Sequence, residues 1–145
     1  LPLLGICEDL PDPENRVTLD EHLTDSNGIP APKITYRLSE NSQRMLDFSI
    51  VRATEVLKAA GARDIMVESP VKMAGWHLMG TARMGTDPAR SVVNEWGRCH
   101  DVRNVFIVDG SIFVTAGGVN PTSTIQALAL YIADTMKNNL ANLFD

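Results

Sequence analysis

Apolar residues fall at helical spacing in one long stretch of the chain and alternate with polar ones in two shorter stretches. Leu46, Ile50, Ala53, Leu57 and Ala60 recur at i, i+4, i+7, i+11 and i+14, which predicts a helix over 40–60 with one apolar face. Ser39 suits its N-cap, and Gly61 suits the left-handed residue that ends a helix. Ile34, Tyr36 and Leu38 share one face of a predicted half-buried strand over 34–38. Val17-Thr18-Leu19 alternates over a shorter span. Between these strands, Asp25-Ser26-Asn27-Gly28 carries turn chemistry. Ile65-Met66-Val67 predicts a further short strand, stopped by Pro70.

The texture changes beyond residue 70, where a boundary is expected. Seven of the ten glycines lie between Gly75 and Gly118, which points to backbone held close to something or in left-handed conformations. Val105-Phe106-Ile107-Val108 is an unbroken apolar run ending at Asp109-Gly110. Such a run predicts a strand buried on both faces, as in parallel sheets. The last element is a predicted helix from about Pro121 to Asn139, with Asn120 as N-cap and Pro121 at the first helical position. Its stretch Ala127–Ala133 is apolar nearly all round, so deep burial is expected. Strands and helices of these kinds place the chain in the α+β class.

Composition narrows the function. The 145 residues are 44% hydrophobic and 21% charged, which is globular and not disordered. A net charge of -5, with no basic stripe, argues against nucleic acid. No apolar run has the length of a membrane span. Cys7 and Cys99 are too few for a disulfide framework and read as free thiols. The chain opens on Leu1-Pro2-Leu3-Leu4-Gly5, without the charged and apolar regions of a signal peptide. Processing, or membership of a longer chain, is expected. Any targeting segment would then precede Leu1, and cytoplasm and periplasm both stay open.

Three places carry candidate chemistry. His77 lies in Trp76-His77-Leu78-Met79-Gly80 and reads either as a structural histidine or as a proton-exchanging group in a pocket. Asn120-Pro121 reads as a helix start. The preceding Ala116-Gly117-Gly118-Val119 adds the option of a backbone N–H cradle for an anion. Asp109-Gly110 is either a plain turn or a carboxylate facing a hydroxyl-rich ligand. Cys99-His100 has no partner at metal-ligand spacing, so no metal site is expected. No GxSxG, P-loop or GxGxxG is present.

Three motifs together resemble one family. They are His77-Leu78-Met79-Gly80-Thr81-Ala82-Arg83-Met84-Gly85, Val105-Phe106-Ile107-Val108-Asp109-Gly110-Ser111, and Gly118-Val119-Asn120-Pro121-Thr122-Ser123-Thr124-Ile125-Gln126-Ala127-Leu128-Ala129. In order and spacing they resemble the C-terminal region of the glucose–methanol–choline (GMC) flavoprotein oxidoreductases. Glu8–Val17 resembles the segment that opens that region. The resemblance implies an enzyme that uses flavin adenine dinucleotide (FAD) to oxidise an alcohol, sugar or polyol. It implies that His77 is the base and that Asn120 binds the same hydroxyl. It places Asp109 and Gly110 near the ribityl and pyrophosphate part of FAD, and Asn120, Pro121 and Thr122 at the flavin. It further implies that 1–72 belongs to a substrate-binding domain and 73–145 completes an FAD-binding α/β domain. The dinucleotide fingerprint of the family is absent here, so an N-terminal FAD-binding region is the expected partner. The isolated chain is then expected to bind FAD weakly or not at all. The competing expectation is a non-catalytic subunit or binding module that keeps the fold.

Overall fold

A computed structural model describes residues 2–71, 75–116 and 118–139. Its elements are β1 (Arg16–Thr24), β2 (Pro30–Thr35), α1 (Glu40–Ala59), a 3-10 turn at Gly110–Ile112 and α2 (Thr122–Asn138). Among the described residues the fold is α+β with one antiparallel strand pair. The chain divides into two compact units, Leu1–Trp76 and His77–Asp145. The expected domain limit at 72/73 falls at residues outside the described ones.

In the first unit, Asp25 closes the β1–β2 hairpin. Its Oδ1 accepts from the N–H groups of Asn27 at 2.8 Å and Ile29 at 2.9 Å, and its carbonyl accepts from Gly28 N at 3.1 Å. The strands pair from Arg16↔Thr35 to Leu19↔Pro32, then slip before Thr24↔Pro30. Asp20 sits in the slip and accepts from His22 N and Leu23 N, replacing ladder bonds. Those two N–H groups hold its carboxyl below the usual range.

The strand predicted over 34–38 instead runs Pro30–Thr35. Its continuation finds another partner. The Asn15 amide accepts from Arg37 N at 2.8 Å and donates to Arg37 O at 3.0 Å, doing for one residue what a neighbouring strand would do. The expected buried face is also absent, since Ile34 is 75% exposed. Tyr36 turns toward Asp9, donating to Oδ2 at 2.5 Å, and Asp9 Oδ1 accepts from the buried Ser42 Oγ at 2.9 Å. Partial burial, followed by the Asp9 bond and charge, raises the Tyr36 hydroxyl to about 12.

Helix α1 forms where the periodicity places it. Ser39 Oγ accepts from Ser42 N at 3.1 Å. At the other end Gly61 N donates to Lys58 O and Ala62 N to Leu57 O, the paired bonds of a Schellman cap. Gly61 adopts φ +89, which a residue with a Cβ avoids. Leu46, Ile50, Ala53 and Leu57 are half-buried, while Ala60, Phe48, Val51 and Val56 are exposed. Ser39→Ala should therefore lower stability by about 1 kcal/mol, the usual loss of a capping hydroxyl, read by urea unfolding. Ile65–Val67, expected as a strand, is not one. No strand lies beside it among the described residues, and Met66 is 98% exposed.

In the second unit Val93, Ile112 and Ile132 are fully buried. Met84, Cys99, Ile107, Phe113, Leu128 and Met136 pack against them. Two sequence expectations are corrected here. Val105–Val108 is not a strand buried on both faces. It is bonded along one side, by Cys99 N to Val105 O at 2.9 Å and Ile107 N to Gly97 O at 2.8 Å, and Val105 and Val108 are exposed. A strand buried on both faces needs a layer packed over each, and the described residues leave Val105 and Val108 uncovered. Helix α2 is likewise not deeply buried. Ile132 is fully enclosed, but Leu130 is 72% exposed. The ring of Tyr131 meets Trp96 with centroids 5.9 Å apart and otherwise faces outward. Cys7 and Cys99 are free thiols, as expected.

Candidate functional site

The 3-10 turn after the apolar run is the meeting point of the three sequence motifs. Asp109 Oδ1 caps it, accepting from Ser111 N at 2.8 Å and Ser111 Oγ at 2.6 Å. The Ser111 hydroxyl, then its N–H, hold the Asp109 carboxyl below its ordinary range, so it is ionised at neutral pH. The carbonyls of this turn hold the segment that follows His77. Ala82 N donates to Ser111 O at 2.9 Å and Met84 N to Ile112 O at 2.8 Å. At Gly110 a Cβ would lie 3.1 Å from Ile125 Cδ1 of α2 and 3.5 Å from the Leu78 carbonyl. Asp109-Gly110 thus sits against the neighbour of His77 and against the second turn of α2.

His77 is half-buried and Asn120 exposed. Among the described residues neither side chain has a hydrogen-bond partner, and none joins one to the other or to Asp109. Among the described residues no carbonyl accepts from the imidazole. Asn120, expected as the N-cap of α2, is not its cap. Pro121 is the capping residue, buried, with φ -87 and ψ -4, and its carbonyl accepts from Ile125 N at 2.9 Å. The helix starts one residue later than the Asn-Pro signal implies, because its first i→i+4 bond is the one Pro121 O accepts from Ile125 N, although Pro121 already has helical dihedrals. Among the described residues no side chain caps the start of α2, which leaves its opening amides at exposed Thr122 and after for another acceptor. Gly117 of the glycine pair lies outside the described residues. A Cβ on Gly118 would meet nothing within 4 Å.

An uncapped helix start with open space at Gly118 suits an electron-rich ring edge. An ionised, exposed carboxylate at Asp109 suits hydroxyl donors. Among the described residues no group of three or more His, Cys, Asp or Glu is placed to hold a metal. No described helix is long and apolar enough to cross a membrane.

Sequence reasoning missed the supports of this site. Asn94 Oδ1 accepts from Trp96 N and Arg98 N and shapes the turn that ends at Gly97. The Asn94–Gly97 spacing was its available signal. His100 Nε2 lies 3.0 Å from Ser91 Oγ and 3.1 Å from Gly85 O. Those partners stand 9 and 15 residues away, beyond any local pattern.

The family model of the GMC oxidoreductases, for their C-terminal region, matches residues 11–129. The chain belongs to the GMC oxidoreductase family. It is 44% identical over 141 residues to a 2-methyl-1,2-propanediol dehydrogenase of Mycolicibacterium austroafricanum, covering 95% of this chain and 25% of that protein. It is 45% identical over 137 residues to a 6'''-hydroxyparomomycin C oxidase of Streptomyces lividus, covering 94% and 25%. A fructose dehydrogenase large subunit of Gluconobacter japonicus is 38% identical over 133 residues, covering 92% and 24%. The GMC chain therefore spans about 25% of the length of these relatives.

Proposed function

We propose that this chain is the C-terminal part of an FAD-dependent enzyme that oxidises a CH–OH group of an alcohol, sugar or polyol to a carbonyl. The observation that carries the reading is the convergence of the His77 segment, the Asp109-Gly110 turn and the uncapped start of α2. The similar proteins are named as dehydrogenases and oxidases of a diol, an aminoglycoside and a sugar, which supports a hydroxyl-bearing substrate. In this reading 1–72 contributes to a substrate-binding domain and 73–145 completes the FAD domain, with an N-terminal region supplying the remainder of the cofactor site.

FAD, when bound, supplies the acceptor for the hydride that leaves the alcohol carbon. His77 takes the hydroxyl proton, and among the described residues its ring has no acceptor to release first. Asn120 cannot titrate. Its amide holds the hydroxyl so that the oxygen faces His77. The start of α2, at Pro121 and Thr122, would hold the flavin edge and favour negative charge there. Asp109 and Gly110 would hold the ribityl and pyrophosphate part. There the carboxylate accepts from hydroxyls, and the missing Cβ lets the backbone approach.

The test is anaerobic mixing of the full-length enzyme with a panel of alcohols and sugars, followed by flavin absorbance. Bleaching by at least one member is expected. No bleaching by any, with flavin bound, would overturn the reading. Asn120→Ala should slow that bleaching while leaving urea stability within about 0.5 kcal/mol, as for surface changes, since Asn120 does not cap α2. A loss near the value of a capping residue would show instead that Asn120 supports the helix.

A further inference from the structure

We propose that His100 is a positioning residue, whose ring clamps the loop that follows the His77 motif and holds that motif on the Asp109–Ile112 turn. The proposal rests on the reading of His77 as the base. Its starting point is the direction of two hydrogen bonds. Ser91 Oγ lies 2.6 Å from the Asp87 carbonyl, which can only accept, so the hydroxyl proton is spent there. The Gly85 carbonyl is likewise an acceptor. His100 Nε2, 3.0 Å from Ser91 Oγ and 3.1 Å from Gly85 O, must therefore carry the proton and donate to both. The backbone N–H of His100 adds a third tie, to Val92 O at 3.0 Å.

These ties close the two ends of the 85–91 loop. The tip of the loop, Thr86–Arg90, is exposed and contributes nothing to the core. On the inner side of the clamp, Gly85 N donates to Val93 O at 2.9 Å and Val92 N to Arg83 O at 3.0 Å. One step further in, Met84 and Ala82 donate to Ile112 and Ser111. His100 is thus the outer member of a hydrogen-bonded stack. The inner member holds the His77-bearing segment and the Asp109-Gly110 turn together. Without the ring, Gly85 loses its carbonyl partner at the point where the motif ends, and the stack loses its outer support. Small displacements of a reacting group are costly, so the effect should appear in rate before it appears in binding.

The experiment uses the full-length enzyme with His100→Leu, which removes the donor, and His100→Gln, which returns an amide N–H near the Nε2 position. Two readouts are taken: trypsin cleavage after Arg90 in the exposed loop, and the rate of flavin reduction at saturating alcohol. His100→Leu should be cleaved about tenfold faster and reduce flavin about tenfold more slowly, with KM within about twofold of wild type. His100→Gln should recover both to within about threefold. Unchanged cleavage in His100→Leu, faster cleavage with an unchanged rate, or a rate that glutamine does not recover would each overturn the proposal. Should His100→Leu fail to fold, Ser91→Ala carries the test. It removes one acceptor of His100 and also the Ser91–Asp87 bond within the loop, so the rate decides: a loss smaller than that of His100→Leu is expected, and a wild-type rate overturns the clamp. His77→Ala measured alongside separates the two claims. If it is slow while the His100 variants are normal, the clamp alone falls. If it reduces flavin at the wild-type rate, the base reading falls and the clamp has nothing to position.

Discussion

His77→Ala in the full-length enzyme should slow reduction of the bound flavin by about 10²–10⁴-fold, the usual worth of a positioned general base. The flavin itself should stay bound. The imidazole has no hydrogen-bond partner among the described residues, so its loss leaves no buried donor or acceptor unsatisfied. The residues that fix its segment are Ala82 and Met84, through backbone bonds to Ser111 and Ile112. Those bonds survive the substitution. A rate defect with normal flavin content and normal melting therefore reports chemistry and not collapse. Stopped-flow absorbance under anaerobic conditions reads it directly. A wild-type reduction rate would remove His77 from the mechanism and leave Asn120 without a proton acceptor to work with.

Gly97→Ala should be the most damaging glycine-to-alanine change among the glycines whose surroundings are described. Gly97 is buried and adopts φ +69, the left-handed region. A Cβ there would stand 2.5 Å from the Ile107 carbonyl and 3.4 Å from Ile132 Cδ1. The first of these is backbone, and its residue is tied to Gly97 itself, with Ile107 N donating to Gly97 O at 2.8 Å. It cannot swing aside as a side chain can. Left-handed strain costs about 1–3 kcal/mol, and overpacking adds about 1–3 kcal/mol. A loss of about 2–6 kcal/mol is expected, measured by the urea midpoint or by the fraction recovered soluble. Gly28→Ala is the matching control. Its φ is +80 and a Cβ there meets nothing within 4 Å, so it should show the strain without the clash. Equal losses at the two sites would refute the contact argument.

What could be read in the sequence was local. The long helix over 40–60 was legible because its cap, its period and its terminal glycine all lie within one stretch. The Asp25–Gly28 turn was legible for the same reason, since its bonds link residues at most four apart. The strand at 34–38 was misplaced because its tail pairs with the Asn15 side chain 22 residues away. Periodicity cannot register that a side chain has replaced a strand. Val105–Val108 and the all-apolar turn of α2 were read as buried, because apolar composition reports what a surface seeks and not what the described residues provide. At the site, the motif order led to His77, Asp109, Gly110 and the helix start as candidates. It did not reveal that Asn120 stands outside the cap, since Asn-Pro is an equally good start signal at either register.

The small core of the second unit has a thermal consequence. Val93, Ile112 and Ile132 are fully enclosed, while Leu78, Val119, Leu130 and Tyr131 already stand in water. Unfolding therefore wets little new hydrocarbon, and newly wetted hydrocarbon is the main source of the heat-capacity increment. A small increment flattens the dependence of stability on temperature. On its own, this unit would show no pronounced weakening in the cold.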